Sequence, residues 1–460
     1  EYGYGLTPEI VALAARHHPS MIVTVDNGIS SVEGVAAARA AGIATLITDH
    51  HLPGDTLPEA DLIVNPSQHG CGFPSKCLAG VGVVFYVLMA LRAELRRRGW
   101  FANRGLPEPR LADFLDLVAL GTVADVVPLD LNTRILVAGG LQRIRAGRSR
   151  PGVRALLEVA SRNPSTAVAT DLGFGAAPRL NAAGRLDDMS LGIECLLSSD
   201  VETARALAEQ LHALNGRRRE FESTMRQEAD AALAQLDRDT TSVQPAAVVL
   251  YHPAWHQGVI GILASRIKDS RHRPTVVFAD GDPGLLKGSA RSIPGVHVRD
   301  ALDSVAALYP GLLHKFGGHA MAAGMTLERD RLAEFERAFI EVVSRQIGAG
   351  DPQPVFESDG ELAATDFELD VARTLRYAGP WGQHFPEPLF DGRFDLLEQR
   401  LVGECHLKMR LQPEGAVNAI DAIAFNIDPQ QWPDTGVRQV DAVYRLDVND
   451  YRGRQSLQLL

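Results

Sequence analysis

Metal-competent side chains follow two short apolar segments near the start of the chain, and this pattern constrains both the fold and the site. Asp26 comes directly after residues 21–25, and the run Asp49-His50-His51 comes directly after residues 44–48. Apolar segments of this length predict buried strands, and open α/β sheets build their sites at the carboxyl ends of such strands. Carboxylates and imidazoles at that edge can hold a divalent metal ion, which suits phosphoester hydrolysis.

The hydrophobic pattern divides the 460 residues into four segments. Residues 1–195 alternate strand-like and helix-like stretches, which predicts an α/β domain with a parallel sheet. Residues 201–236 carry an apolar stripe in steps of three and four, which predicts one long connecting helix at residues 196–240. Residues 241–348 begin a second, smaller α/β pattern. From about residue 390 apolar and polar residues alternate, which predicts a small antiparallel barrel of the OB type within residues 349–460.

The alternating segment 443–448 is expected to form one strand of that barrel. Tyr444, Tyr451, Arg452 and Arg454 could then stack on the bases and neutralise the backbone of a single nucleic-acid strand. The same residues are equally compatible with the surface of an ordinary barrel.

Composition excludes several classes of protein. The formal charge is −11, which argues against a protein that coats nucleic acid non-specifically but not against an enzyme with a local groove. The four cysteines are widely spaced, which favours a reducing cytoplasm over a disulfide scaffold or a zinc site. We find no secretory signal and no apolar run long enough to span a membrane, so we expect a cytoplasmic protein without a membrane partner.

A third carboxylate, Asp125, stands in the apolar segment 119–128. A buried carboxylate is costly unless it is paired, metal-bound or protonated. A helix-capping role would be the simplest interpretation if Asp125 stood alone. Together with Asp26 and His50, a role as metal ligand is the better one.

These motifs resemble a known superfamily. Asp49-His50-His51, with Val-Asp-Asn-Gly at 25–28, resembles the DHH phosphoesterases. Three further segments are similar to the single-stranded-DNA-specific exonucleases within that superfamily: Gly-Thr-Val-Ala-Asp at 121–125, Pro-Arg-Leu-Asn-Ala-Ala-Gly-Arg at 178–185, and Phe-Gly-Gly-His at 316–319. The similarity runs over essentially the whole chain. It implies a DHH domain, a DHHA1 domain and an OB-like domain, and 5′-to-3′ degradation of single-stranded DNA in repair and recombination.

The resemblance also implies roles for individual residues. Asp26 and Asp125 would bridge two Mn²⁺ or Mg²⁺ ions, with His50 on one of them. Asp49 would orient a neighbouring imidazole, and His51 would approach the scissile phosphate.

A second group of residues is expected to bind the DNA backbone. Arg291 and the segment Gly317, Gly318 and His319 would contact phosphates. The resemblance further implies that Arg179, Asn181 and Arg185 line the substrate channel or the seam between domains, and the sequence does not separate these two roles.

One part of the family pattern is not found. The family uses an Asp-x-Asp motif on the first strand of the DHH domain, and none precedes residues 2–6. We therefore expect this chain to be a fragment with an incomplete metal site, inactive alone although the complete protein hydrolyses DNA. Activity of the 460 residues with Mn²⁺ above a His50→Ala control would contradict this.

Two alternatives stay open from the sequence. The chain could be a DHH phosphoesterase for short oligonucleotides or pyrophosphate, or a non-catalytic scaffold at replication forks. Single-stranded DNA is the expected partner, with a single-strand-binding protein and a helicase as further partners of a monomer.

Overall fold

The structure is a computed structural model that describes residues 5–239, 245–348, 352–403, 405–429, 431–451 and 453–460. Its α-helices are α1 (Pro8–Ala15), α2 (Val32–Ala40), α3 (Gly80–Arg97), α4 (Trp100–Arg104), α5 (Leu115–Ala124), α6 (Leu131–Arg145), α7 (Pro151–Val159), α8 (Ala177–Leu186), α9 (Ser190–Leu197), α10 (Val201–Asp239), α11 (Ile260–Arg271), α12 (Val298–Leu308), α13 (Leu332–Ile347) and α14 (Leu369–Ala378). Its strands are β1 (Met21–Val25), β2 (Ala44–Thr48), β3 (Leu62–Val64), β4 (Val248–Tyr251), β5 (Thr275–Asp280), β6 (Leu285–Arg291), β7 (Lys315–Gly318), β8 (Ala322–Glu328), β9 (Phe390–Val402), β10 (His406–Pro413), β11 (Ile420–Ala424), β12 (Gln439–Tyr444), β13 (Leu446–Tyr451) and β14 (Arg454–Leu459).

The first sheet is parallel and has the order β1-β2-β3. Its first two strands have the bounds that the apolar segments predict, so the predicted α/β class is confirmed. Ile47 of β2 is fully buried, and α1 and α2 pack Val11, Val35 and Ala38 into the same core. Because the three strands are parallel, the residues that follow them meet at one edge of the sheet.

The long connecting helix is α10, which has 39 residues. At 1.5 Å per residue it is about 58 Å long. It is a single helix in the structure, as the stripe of apolar residues predicts.

The second sheet is mixed and has the order β4-β5-β6-β8-β7. Strands β4 and β5 are parallel, and the other neighbours pair antiparallel. Helices α12 and α13 cover one face, where Phe278, Phe335 and Phe339 are fully buried. This sheet and its helices form the smaller α/β domain that was expected after the long helix.

The third sheet contains six strands in the order β12-β9-β10-β11-β14-β13 and forms the OB-like domain. The expectation of one strand over residues 443–448 is wrong, because β12 ends at Tyr444 and β13 begins at Leu446. The expected stacking role of Tyr444 is also wrong. Its side chain is 3% exposed and packs edge-on against Phe394, with ring centroids 5.3 Å apart. Arg452 and the side chain of Tyr451 lie outside the described residues, and Arg454 is exposed.

The chain divides into two compact units. One unit combines the segments up to Pro178, Glu194–Ala208 and everything from Glu357 on, so the OB-like domain belongs to the same unit as the parallel sheet. The other combines Arg179–Ile193 with Glu209–Phe356. Among the helices of the described ranges, none has both the length and the apolar character that crossing a bilayer requires.

Candidate metal centre

Asp26 leaves β1 through a tight turn that needs both of the residues after it. Its backbone adopts a left-handed conformation with φ +66°, which Asp tolerates better than most residues. The Asn27 side chain donates to the Val25 carbonyl over 3.0 Å. Gly28 has φ +113°, and a Cβ there would lie 2.6 Å from Thr24 Oγ1, so only glycine fits. The sharp turn leaves the Asp26 carboxylate at the edge of the sheet.

Asp49 is a buried anchor for the two histidines that follow it. One carboxylate oxygen accepts the Ile29 amide over 2.9 Å, and the other accepts the His50 amide over 2.8 Å and lies 2.7 Å from His51 Nδ1. Burial acts to raise the pKa of Asp49, but the hydrogen bonds from Ile29, His51 and His50 lower it below its ordinary value. Asp49 is therefore held as a carboxylate that fixes the His51 ring.

The side chains of Asp26, His50 and Asp125 converge on one point. His50 Nε2 lies 2.9 Å from Asp26 Oδ1 and 3.4 Å from Asp125 Oδ2. One ligand atom from each of Asp26, His50 and His51 lies within 4.8 Å of the others. Segments separated by up to about a hundred residues of chain thus bring two carboxylates and two imidazoles together.

Asp125 occupies the C-terminal end of α5, where its amide bonds to the Gly121 carbonyl over 3.0 Å. A negative charge is unfavourable at this end of a helix, which contradicts the alternative that Asp125 is a stabilising cap. Its side chain keeps 40% exposure, so it borders the site and is not enclosed in the core. Val126 beside it has φ +57°, a strained conformation for a β-branched residue of the kind that clusters at functional sites.

The electrostatics of this cluster favour a cation. Burial acts to lower the pKa of His50, but the hydrogen bond with Asp26 and the charges of Asp125, Asp26 and Asp49 raise it. Partial burial raises the pKa of Asp125, against the attraction of His50. The raised pKa of His50 reports a negative potential between the two carboxylates, whereas the raised pKa of Asp125 comes first from its burial. Carboxylate oxygens and imidazole nitrogens are ligands that Mn²⁺ accepts, so the residues present fit a divalent ion.

Two polar residues after β3 support the centre and were missed from the sequence. Asn65 is buried, and its amide donates to the His51 carbonyl over 2.8 Å. The Ser67 hydroxyl donates to the His50 carbonyl over 2.9 Å. Asn65 directly follows an apolar strand, as Asp26 and Asp49 do, so the same edge rule could have found it.

The first turn of α3 also supports the centre and was not predicted as part of it. This turn packs against Asp26 and against α5, the helix that ends at Asp125. A Cβ on Gly80 would lie 2.5 Å from Asp26 Oδ1, so the α3 backbone touches the Asp26 side chain only because residue 80 is glycine. A Cβ on Gly121 would lie 2.7 Å from a methyl group of Val81. Gly121 belongs to α5, the helix that ends at Asp125. The first turn of α3 therefore contacts both the Asp26 side chain and α5, the helix that ends at Asp125.

The predicted phosphate-binding residues of the second sheet lie at one end of it. Arg291 ends β6, and its Nη1 donates to Ser289 Oγ over 3.0 Å. Gly318 ends β7, which is separated from β6 by one strand in the order β6-β8-β7. At the usual spacing of strands, β6 and β7 are roughly 10 Å apart. The His319 amide is bonded to the Ala322 carbonyl, so its exposed side chain is the part of His319 that a phosphate could meet.

The glycine pair also has a local structural reason. A Cβ on Gly318 would lie 2.4 Å from the Ala322 carbonyl oxygen, and the residue has φ +149°. Gly317 pairs with Gly324 across the β7–β8 ladder. Direct contact of either glycine with a phosphate stays a prediction.

The three predicted residues of α8 have different environments. Arg179 is buried, and its guanidinium lies 3.1–3.2 Å from His212 Nδ1, so its role in the substrate channel or at the seam between domains stays a prediction. Asn181 and Arg185 are exposed. Arg185 donates to the Gly258 carbonyl over 3.1 Å, and its charge contributes to lowering the pKa of Arg291, for which burial is the larger cause. The structure thus brings Arg185 and Arg291 close to each other.

Comparison with known proteins agrees with this architecture. Three family models match: the DHH family, N-terminal domain, over residues 4–122, the DHHA1 domain over residues 244–345, and the RecJ OB domain over residues 358–460. They define the class of the chain, a DHH-family protein with a DHHA1 domain and a C-terminal OB domain.

Whole-chain relatives narrow this class to one family. The chain is 58% identical over 460 residues to a protein of Dickeya dadantii named single-stranded-DNA-specific exonuclease RecJ, and 55% identical to the protein of that name from Escherichia coli. It covers 80% of the length of each. The crystal structure of RecJ in complex with Mn²⁺ from Thermus thermophilus aligns with a TM-score of 0.78 and 32% identity, over 98% of this chain and 62% of that chain. The chain belongs to the RecJ family.

Proposed function

We propose that the protein is a metal-dependent exonuclease that hydrolyses single-stranded DNA from the 5′ end, in DNA repair and recombination. The observation that carries this proposal is the convergence of Asp26, His50 and Asp125 at the edge of a parallel sheet. We infer the substrate, single-stranded DNA, from the names of the relatives at 55–58% identity. Solved relatives hold Mn²⁺ or Mg²⁺, and we propose these ions for the present site.

We propose Asp26, His50 and Asp125 as the residues that hold the ions. When bound, divalent ions acidify the attacking water and neutralise charge on the phosphoryl oxygens. His51 is proposed to donate a hydrogen bond to a phosphoryl oxygen of the scissile phosphate, because Asp49 holds its Nδ1 and so fixes the direction of the ring. Asn65 and Ser67 hold the backbone carbonyls of the two histidines and limit their movement.

The DNA backbone is proposed to bind at the end of the second sheet. Arg291, held by Ser289, and the neighbouring Arg185 present positive charge to phosphates. His319 adds an exposed imidazole on the same end of the sheet. Asn181, exposed on α8, is proposed as a further polar contact with the strand.

The test of this function compares substrates for the complete gene product with Mn²⁺. We expect release of mononucleotides from a long single-stranded oligonucleotide, starting at its 5′ end, with little hydrolysis of a blunt duplex or a dinucleotide. A His50→Ala variant is the control for contaminating nucleases. Hydrolysis of the dinucleotide alone would favour the short-oligonucleotide alternative, and binding of DNA without any hydrolysis would favour the scaffold.

Replacing Asp49 with Asn is expected to lower kcat by roughly 10- to 100-fold, the usual effect of changing a residue that orients a metal-site imidazole. Both Asp49 oxygens accept hydrogen bonds, so the amide nitrogen of Asn must face a donor whichever way it turns. Asp61→Asn is the matched control, because Asp61 also accepts a backbone amide, that of Thr45, but touches no histidine in the described part of the chain. Steady-state kinetics that show equal losses for the two variants would contradict the orienting role.

We further propose that the protein works as a monomer in a reducing cytoplasm, beside a single-strand-binding protein and a helicase that expose its substrate. The four cysteines are unpaired, which suits a reducing compartment. Light scattering after size-exclusion chromatography measures the oligomeric state directly.

A further inference from the structure

Phe221 is an exposed aromatic residue on the otherwise polar middle of α10. Its side chain is 46% exposed, and its ring stacks on that of His256, with centroids 5.7 Å apart and planes 22° from parallel. Neither residue belongs to the metal centre or to the predicted phosphate contacts. Because the Phe221 ring is about half exposed, a third flat ring can stack on it from the side opposite His256.

The chain around His256 holds its ring in place. His256 Nδ1 accepts the amide of Gly258 over 3.1 Å. A Cβ on Gly258 would lie 3.1 Å from two atoms of that ring and 2.6 Å from the Arg185 carbonyl oxygen. Glycine at this position therefore lets the imidazole and the end of α8 approach the same backbone, and the ring is oriented before any ligand arrives.

The surface around this pair is strongly basic. Arg218 lies three residues before Phe221. Burial lowers the pKa of Arg218 and the attraction of Glu222 opposes this, while the positive charges of Arg185, Arg219 and Arg266 lower it further. Glu222 pairs with Arg218 over 3.3 Å and with Arg266 over 3.1 Å. Within the described part of the chain, no carboxylate lies within ion-pair distance of Arg185, Arg219 or Arg291. Arg185, which bonds to the Gly258 carbonyl two residues after His256, thus brings positive charge without a described carboxylate partner next to this stacked pair, in a chain with a net charge of −11.

We propose that Phe221 and His256 form a stacking platform for one base of single-stranded DNA, beside backbone phosphates held by Arg185 and Arg291. Basic side chains next to an exposed aromatic ring are the combination that binds single strands without reading their sequence. This inference rests on the proposed function and extends it, because it adds a base contact to a set of phosphate contacts.

The test is equilibrium binding of a fluorescent single-stranded oligonucleotide by the complete gene product in EDTA, where hydrolysis does not occur. We expect Phe221→Ala to weaken binding about 10-fold, within the range for loss of one stacked base, and Phe221→Trp to retain it. Phe221→Leu keeps apolar packing against His256 but lacks a flat face, so it should lose as much as Phe221→Ala. Phe356→Ala, which removes another exposed phenylalanine of the same unit, should bind as the wild type does.

A set of oligonucleotides with one abasic site at each position separates stacking from phosphate binding. At one position the abasic strand should bind equally to wild type and to Phe221→Ala, because the base that stacks is gone. An equal loss on every strand, including a fully abasic one, would overturn the platform, and so would a Phe221→Leu variant that binds normally. Failure of the wild type to bind single strands would instead contradict the proposed function.

Discussion

Asp125→Ala is expected to lower kcat on single-stranded DNA by roughly a thousandfold or more, because a site that loses a ligand loses several kcal/mol of charge stabilisation and each 1.4 kcal/mol is about tenfold. Asp125 Oδ2 lies 3.4 Å from His50 Nε2, and Asp26 Oδ1 lies 2.9 Å from the same nitrogen. Removing Asp125 takes away one of the anionic ligands proposed for the ions. DNA binding should stay measurable, because the basic residues of the second sheet are untouched.

The measurement is single-turnover hydrolysis of a 5′-labelled strand, with binding followed separately by anisotropy. Asp113→Ala is the matched control, since Asp113 lies shortly before α5 and pairs with Arg143 over 3.0 Å, away from His50. Only the Asp113 side of this pair is exposed, so thermal unfolding of the control is measured beside its turnover. Turnover by Asp125→Ala at the wild-type rate would rule out its role as a metal ligand.

Gly80→Ala is expected to weaken Mn²⁺ binding by roughly 10- to 100-fold, the range found when the support of a metal ligand is disturbed. The new methyl group would lie 2.5 Å from Asp26 Oδ1, so either the carboxylate or the first turn of α3 must move. Titration calorimetry measures the affinity, and thermal unfolding shows whether the fold survives. Gly82→Ala in the same turn should have little effect, because its Cβ would touch Leu78 and no metal-site residue, and its tightest contact, at 3.1 Å, is with a terminal methyl group of Leu78.

A second substitution distinguishes a specific contact from general damage. Gly121→Ala should also weaken Mn²⁺ binding, because its methyl group would meet Val81 at 2.7 Å. Val81→Ala removes that neighbour and should restore binding to Gly121→Ala but not to Gly80→Ala. If Val81→Ala restored Mn²⁺ binding equally to both variants, or to neither, this would contradict the view that α3 positions Asp26 and the helix of Asp125 through separate contacts.

The strands that carry the metal centre could be predicted because their signals are local. Each of β1 and β2 is an apolar segment that ends at a polar residue, and the parallel arrangement then brings Asp26 and Asp49 to one edge. The position of Gly80 could not be predicted in this way. Its need for glycine comes from Asp26, which is 54 positions earlier in the chain (80 − 26), and only the tertiary fold brings the two residues together.

The OB-like domain shows where the alternation of polar and apolar residues stops being informative. The period of two continues from β12 through Arg445 into β13, although β12 pairs with β9 and β13 pairs with β14. Alternation records which face a side chain takes but not where one strand ends and another begins. In this alternation Tyr444 is in phase with Leu446 and Val448, which are buried, so its position in the core beside Phe367 and Phe394 agrees with the pattern and its expected contact with DNA does not follow from it.

Anomalous diffraction at the manganese edge, from crystals of the complete gene product grown with Mn²⁺, tests the central claim most directly. We expect a strong peak within coordination distance of Asp26, His50 and Asp125, and its loss in crystals of Asp125→Ala. Manganese bound elsewhere in the protein, with no peak beside these three side chains, would contradict the assignment of the metal centre and the exonuclease mechanism that depends on it.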